Sequence, residues 1–198
     1  SSSDATLVVP KDSRDDYKNV SGWNFAFIFE EGAILEREKT DEQGVFYTLK
    51  KENDSIFYSV TGHTDELSAE IVIPADLDGC PVRVIEDRVF MGCTELSSIS
   101  ISDNVKTVGA KAFSACSNLT SVILGSQLAS IGEYAFGFCT SLSSIIIPDS
   151  VTSIGKFAFT NCSGLQSVTI GNGVKSLKGG TFYECTSLTS ITIPEGVT

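Results

Sequence analysis

The sequence is poor in positive charge and in long apolar runs, and each of these features argues against one class of binding partner. Only 14 Lys and Arg residues stand against 25 Asp and Glu, which gives a net charge of −11 over 198 residues. Nucleic-acid phosphates and anionic membrane surfaces both require clustered positive charge, so we expect no nucleic-acid partner. Because no stretch approaches the roughly 18 apolar residues of a membrane span, we also expect no membrane insertion by this segment.

Histidine is almost absent, and this limits the chemistry that the chain could perform. His63 is the only histidine, and it is predicted to lie in a surface loop, whereas a nucleophilic serine needs a nearby base. The chain also lacks a glycine-rich phosphate loop, a dinucleotide fingerprint and the short Cys-x2-Cys pairs of a zinc site. The sequence therefore predicts a protein that is not an enzyme, with no catalytic, metal or cofactor-binding residues and no cofactor.

From Ile85 to the end, one 23-residue unit repeats five times without insertion or deletion, and the last unit is truncated. The first position of each unit is apolar: Ile85, Val108, Ile131, Ile154 and Leu177. Three further positions are invariant: Phe90, Phe113, Phe136, Phe159 and Phe182; Cys93, Cys116, Cys139, Cys162 and Cys185; Leu96, Leu119, Leu142, Leu165 and Leu188. One unit alone buries too few side chains to fold, so successive units must stack in register.

Within a unit, the spacing of apolar residues predicts two kinds of wall. Ile99 and Ile101 flank Ser100, and this alternation is typical of a short strand with one buried face. The segment from Ile85 to Cys93 spaces its apolar residues irregularly, which favours turns or a short helical segment. The sequence therefore predicts a β-rich solenoid with parallel strands on one face and turns or short helical segments on the other.

The unit resembles the BspA-like leucine-rich repeat, and Ile131 to Val151 matches that pattern at every defining position: Ala135, Phe136, Cys139, Leu142, Ile145, Ile147, Pro148 and Val151. Other units depart from it slightly, with Val89 and Thr181 in place of the alanine and with Ser102, Gly125 and Gly171 in place of the proline. The resemblance implies a leucine-rich-repeat solenoid. It further implies a cell-surface or secreted location, with a role in adhesion or binding of host extracellular or surface proteins.

Two further regions are predicted upstream of the array. Residues 44–84 contain alternating runs at 45–49 and 56–60, which predict a capping β-hairpin, followed by an incomplete first repeat that includes Ile71 and Ile73. Residues 1–43 contain one aromatic strand, Trp23 to Phe29, whose rings either pack under the cap or form an exposed platform for a glycan or peptide. The charged stretch from Glu30 to Asp41 is predicted as a short helix. Since Ser1 to Asp4 lacks the features of a signal peptide and the chain stops part-way through a repeat, we expect any signal or anchor to lie outside this sequence.

The five cysteines of the array stand at one repeat position. Stacked coils would place their Cα atoms about 4.8 Å apart, which permits a disulfide, but side chains on stacked coils point the same way. We therefore expect reduced core thiols. Cys80 lies outside this row and is expected to be the cysteine most open to solvent or to mispairing.

A candidate binding surface follows from the alternation in the strands. The side chains that point outward should form one continuous stripe across the sheet: Ser100, Ile123, Ile146, Thr169 and Thr192. Two adjacent exposed isoleucines would make a contact centre for a protein ligand, unless another layer of the protein covers them. The competing hypothesis is a passive spacer that holds another domain away from the cell surface.

Overall fold

The computed structural model describes residues 38–53 and 55–197, so the predicted aromatic strand from Trp23 to Phe29 lies outside the described residues. The strands in the described part are β1 (Glu38–Thr40), β2 (Val45–Glu52), β3 (Ser55–His63), β4 (Glu70–Ile73), β5 (Asp76–Leu77), β6 (Cys80–Ile85), β7 (Ser98–Ile101), β8 (Thr107–Val108), β9 (Ser121–Ile123), β10 (Ser130–Ile131), β11 (Ser144–Ile147), β12 (Ser153–Ile154), β13 (Ser167–Ile170) and β14 (Ser190–Thr192).

The repeats form a solenoid whose coils each contribute one strand to a parallel front face. This front face consists of β4, β7 and β9 in one sheet and β11, β13 and β14 in another. The register advances by one repeat, since Ser98 pairs with Ser121 and Ser144 with Ser167. The predicted parallel strands and the leucine-rich-repeat solenoid are thus confirmed.

A second sheet, which the sequence analysis did not predict, closes an adjoining side of each coil. The first apolar position of the unit lies here, because Ile85 pairs with Val108, and Ile131 pairs with both Val108 and Ile154. We call β6, β8, β10 and β12 the side sheet. β-branched residues suit such short, half-buried strands, so this position belongs to a sheet and not to the irregular wall where we had placed it.

A column of stacked phenylalanine rings runs through the core along the array. The ring of Phe136 lies 5.1 Å from that of Phe113 and 5.3 Å from that of Phe159, and both pairs are nearly parallel. Phe90, Phe113, Phe136 and Phe159 are completely buried. Each coil therefore packs one large side chain against both of its neighbours, and this contact is one that a single coil could not make.

The third wall of each coil is built from turns that contain left-handed residues. Lys111, Tyr134 and Phe157 occupy one equivalent position of successive coils, and all three have φ between 54° and 58°. The described residues contain no helix, so of the two predicted alternatives, turns or short helical segments, the turns are correct. We call this side of the coils the turn wall. Non-glycine residues adopt this conformation at a cost of about 1–2 kcal/mol. Hydrogen bonds between coils offset that cost; for example, the Phe113 N–H donates to the Ala135 carbonyl over 2.8 Å.

Glycine marks the closest approach between neighbouring coils. A Cβ at Gly132 would lie 2.5 Å from the backbone N of Ala110 in the preceding coil, and Gly109 and Gly155 are equally restricted. The same position of the next coil is Lys178, which carries a Cβ. The side sheet ends at β12, before that coil. At this end of the array the loss of strand pairing coincides with the loss of the glycine.

The N-terminal strands pack against the first coil. β2 and β3 form an antiparallel hairpin, and β3 continues into the side sheet by pairing in parallel with β6. β1 pairs with β2 from Glu38 to Thr40, so the helix predicted for the charged stretch is wrong in this part. The outer edge of β4 is covered by Gln43, whose side-chain amide donates to the Val72 carbonyl over 3.0 Å and accepts from the Val72 N–H over 2.6 Å. This amide thus satisfies one edge of the front face.

Candidate protein-binding face

The predicted stripe lies on the front face, with its members in register. Ser100 pairs with Ile123 in one sheet, and Thr169 pairs with Ile146 and Thr192 in the other. Ile123 is 60% exposed and Ile146 is 69% exposed, whereas Ser100 is half-buried. No other described layer of the chain covers the two isoleucines. The front face therefore presents two large apolar side chains to solvent.

The front face is interrupted between these two isoleucines. β9 and β11 belong to different sheets, and no strand pairing joins them among the described residues. The coils still contact each other at the turn wall, where the Ala115 N–H donates to the Gly137 carbonyl over 2.8 Å. In the described part of the chain, strand pairing between these two coils is therefore absent only at the front. Val122 and Leu124 are partly exposed there, whereas their equivalents in the neighbouring coils, Ile99, Ile101, Ile145 and Ile147, are buried.

This interruption leaves two strand edges unpaired, a feature that the sequence did not predict. The facing edges of β9 and β11 carry backbone N–H and C=O groups without a strand partner, and such edges bind extended peptide segments readily. Exposed apolar side chains lie on both sides, at Ile123 and Ile146. The site thus combines apolar contact area with main-chain hydrogen-bonding groups.

Beside the interruption lies a shallow groove with a volume of about 390 Å³. It runs along the ends of β11, β13 and β14, and its lining residues are Ile146, Ile147, Pro148, Asp149, Thr169, Ile170, Gly171, Asn172, Thr192 and Pro194. The Asp149 carboxylate at its rim accepts the Asn172 N–H over 2.8 Å. Two coils earlier, the Ser126 N–H donates to the Asp103 carboxylate over 2.6 Å, which lowers the pKa of that carboxyl group. The stripe from Ser100 to Thr192, which carries no charged side chain, is thus bordered by acidic groups.

Val72 is an exposed member of the stripe that the sequence analysis missed. It lies on β4, pairs with Ser100 and is 54% exposed. The signal was present, because Ile71 and Ile73 were identified as the buried residues of a strand and Val72 stands between them. The apolar stripe therefore begins one coil earlier than predicted.

Each front-face strand after β4 begins with a serine. Ser121 and Ser144 are exposed on the front face. At this end of the strands, hydroxyl groups one position before the serines bond to the neighbouring coil. For example, Thr120 donates to the Ser97 carbonyl over 3.0 Å.

Among the six cysteines, all of which are free thiols, the row at the repeat position is arranged as a ladder of hydrogen bonds. Four of the five thiols in this row donate to the carbonyl of the preceding coil's phenylalanine: Cys116 to Phe90, Cys139 to Phe113, Cys162 to Phe136 and Cys185 to Phe159, over 3.0–3.2 Å. Burial raises the pKa of Cys139 to about 12, so this thiol stays protonated at neutral pH. The expectation of reduced core thiols agrees with this arrangement.

The expectation that Cys80 is the most accessible cysteine is wrong. Cys80 is buried in the core, and burial raises its thiol pKa, with further contributions from Asp78 and Asp76. The more exposed thiols are those at the two ends of the ladder, Cys93 and Cys185. The exposure of a cysteine therefore depends on whether its coil lies at an end of the array, and not on whether the cysteine occupies the repeat position.

His63 is not the surface loop residue that its glycine-containing segment suggested. It ends β3, and its ring stacks on Phe90 at 5.8 Å between centroids. Its Nδ1 lies 2.7 Å from the Thr64 carbonyl, and its Nε2 lies 3.1 Å from Sγ of Cys93. Because Cys93 belongs to the first full coil, His63 takes the place of both the phenylalanine ring and the carbonyl that a preceding coil would supply.

The described residues contain no group of three or more His, Cys, Asp or Glu side chains arranged to hold a metal ion. In the same residues, no helix has the length and apolarity needed to cross a bilayer.

The stacked 23-residue coils and parallel front strands define a leucine-rich-repeat solenoid. Within that class, a sequence profile described as the BspA type leucine rich repeat region matches residues 83–198 in six copies. The chain belongs to this BspA-type family. No curated protein sequence matches it significantly.

Solved structures support the same assignment. A leucine rich cell surface protein from Faecalibacterium prausnitzii shares 34% identity with a TM-score of 0.69, over 85% of this chain and 45% of that protein. A leucine-rich repeat protein from Bacteroides capillosus shares 30% identity with a TM-score of 0.56, over 67% of this chain and 97% of that one. The Treponema pallidum leucine rich repeat protein shares 28% identity with a TM-score of 0.59, over 79% and 83% respectively. This chain therefore spans less than half of the F. prausnitzii protein.

Proposed function

We propose that this chain is a protein-binding module of the cell surface or the extracellular space, which docks a host protein ligand on the front face between Ile123 and Ile146. The observation that carries the proposal is the exposure of both isoleucines on the two sides of an unpaired gap in the sheet. The name of the F. prausnitzii relative, a cell surface protein, supports the location.

The energetics of this face suit a protein partner. Complete burial of an isoleucine side chain contributes about 1.5–3 kcal/mol, so two of them supply a contact centre of the kind that dominates binding energy. The remaining stripe residues from Ser100 to Thr192 are serine and threonine. A partner therefore removes no charged group of the stripe from water, and the desolvation cost stays small.

The test measures binding to immobilised chain from a panel of purified mammalian matrix and serum proteins. We expect at least one partner whose affinity changes little with salt, because the central contact is apolar. In the double variant Ile123→Asp/Ile146→Asp, that affinity should fall by more than about 100-fold, since at least 3 kcal/mol of apolar burial is lost. Both side chains point to solvent, so the circular-dichroism melting curve should remain close to that of the unchanged chain.

A matched control uses two exposed apolar residues of the turn wall. Met91→Asp/Phe138→Asp changes the charge and the apolar surface in the same way but leaves the front face intact. Its binding should equal that of the unchanged chain. Binding that survives the isoleucine variant, or a panel in which nothing binds, would favour the passive spacer.

A further inference from the structure

The thiol ladder contains one member whose hydrogen-bond acceptor can take up a proton. Cys116, Cys139 and Cys162 are completely buried, and they donate to backbone carbonyls, which do not act as bases at neutral pH. Cys93 is only half-buried, and the atom facing its Sγ at 3.1 Å is Nε2 of His63. Of the five cysteines in the row, four thus face a backbone carbonyl and one, Cys93, faces an imidazole.

The surroundings of His63 orient this imidazole for proton uptake. Its Nδ1 lies 2.7 Å from the Thr64 carbonyl, which can only accept, so Nδ1 carries the hydrogen and Nε2 presents its lone pair to Cys93. Stacking on Phe90, with an angle of 10° between the two ring planes, fixes the orientation of the imidazole ring. A histidine that is oriented by a second group and is in contact with a thiol is the arrangement by which proteins activate cysteine.

The thiol of Cys93 is partly accessible to a reagent. Cys93 is half-buried, whereas Cys116 and Cys139 in the following coils are buried, and the neighbouring Gly92 is exposed. Burial raises the pKa of Cys93, so the resting group at neutral pH is the thiol, and reaction needs a proton acceptor. His63 is that acceptor.

We infer that Cys93 is a site of covalent modification by small disulfides, with His63 as the base that activates it. The Cys93 S–H bond breaks and its proton passes to Nε2 of His63. The thiolate attacks one sulfur of the reagent disulfide, a new S–S bond forms, and the other half leaves as a thiolate that takes the proton from His63. Cys93 is oxidised to a mixed disulfide, and one half of the reagent is reduced to a thiol.

The experiment treats the folded chain with dithiodipyridine, an uncharged aromatic disulfide, at neutral pH and follows each cysteine by peptide mass spectrometry. Cys93 should react while Cys116, Cys139 and Cys162 stay unmodified. In His63→Phe, which keeps a ring for Phe90 to stack on but has no base, the Cys93 rate should fall by at least about 10-fold, given the usual size of general-base effects. His63→Gln, which keeps a polar side chain but cannot take up the proton at this pH, should show the same loss.

Two internal references separate activation from loosening of the structure. Cys185 is also half-buried but donates to the Phe159 carbonyl, so its rate should be the same in all three proteins. Cys116 donates to the Phe90 carbonyl, so modification of Cys116 would show that the first coil has opened. An unchanged or faster Cys93 rate in His63→Phe with Cys116 still protected would overturn the inference, and so would a Cys93 that does not react in the unchanged chain.

Discussion

Replacing Phe136 by alanine should lower the free energy of unfolding by about 3–5 kcal/mol, the usual loss for a fully buried phenylalanine. Phe136 lies in the middle of the aromatic column, with stacked neighbours at 5.1 and 5.3 Å. Its removal leaves a cavity between two rings that the backbone ladders hold in place, so the site cannot collapse. Denaturant unfolding followed by circular dichroism measures the change.

Phe138→Ala is the matched control, since it removes the same side chain two residues away from an exposed position of the turn wall. Its free energy of unfolding should change by no more than about 0.5 kcal/mol. Similar losses for both variants would show that the aromatic column does not determine the stability of the array.

Gly132→Ala should lower the free energy of unfolding by about 3 kcal/mol, at the upper end of the cost of overpacking. The added Cβ would lie 2.5 Å from the backbone of the preceding coil, at Ala110 N, and no side-chain rotation relieves a contact with backbone. The coils must therefore separate at this point, and both the melting temperature and the hydrogen-exchange protection of Gly132 N–H should fall.

The matched substitution is Gly179→Ala, where a Cβ meets nothing within 4 Å. This variant should melt at the same temperature as the unchanged chain or slightly above it, because alanine restricts the unfolded chain more than glycine does. A Gly132→Ala protein as stable as Gly179→Ala would show that the coils can separate without loss.

The solenoid and its parallel strands could be predicted because each repeat carries its own pattern. Ile99 and Ile101 alternate with outward residues, and the same spacing recurs at Ile145 and Ile147. One unit therefore predicts all the others. The left-handed positions of the turn wall could not be predicted in this way. Lys111 and Tyr134 have positive φ values, and in a sequence only glycine indicates such a conformation reliably.

The interruption of the front face could not be predicted, because it depends on the relation between coils. Val122 and Leu124 satisfy the repeat pattern as well as Ile99 and Ile101 do, yet only the latter pair is fully buried. Residue type determines which side of a strand is apolar. The missing pairing between β9 and β11 is a property of two coils together, which the pattern of a single unit does not encode.

His63 was misjudged for a related reason. Its contacts, Phe90 and Cys93, lie 27 and 30 residues further along the chain. Nothing in a Thr-Gly-His-Thr segment indicates such partners. The cysteine row itself carried the relevant signal, because the first cysteine of a stacked row has no complete coil before it and needs a hydrogen-bond acceptor from elsewhere in the chain.

The equal spacing of every ladder has a consequence for how such a molecule changes in length. Each phenylalanine stacks on its counterpart one coil away, and each thiol bond or turn-wall bond joins two fixed positions of adjacent coils. Duplication of a gene segment that encodes one whole 23-residue unit would extend the front face by one strand spacing, about 4.8 Å, and would create no new kind of contact. A single inserted codon would displace every downstream partner in that coil. Recombination in multiples of the 23-residue unit can therefore change the length of the front face without disrupting the contacts between coils.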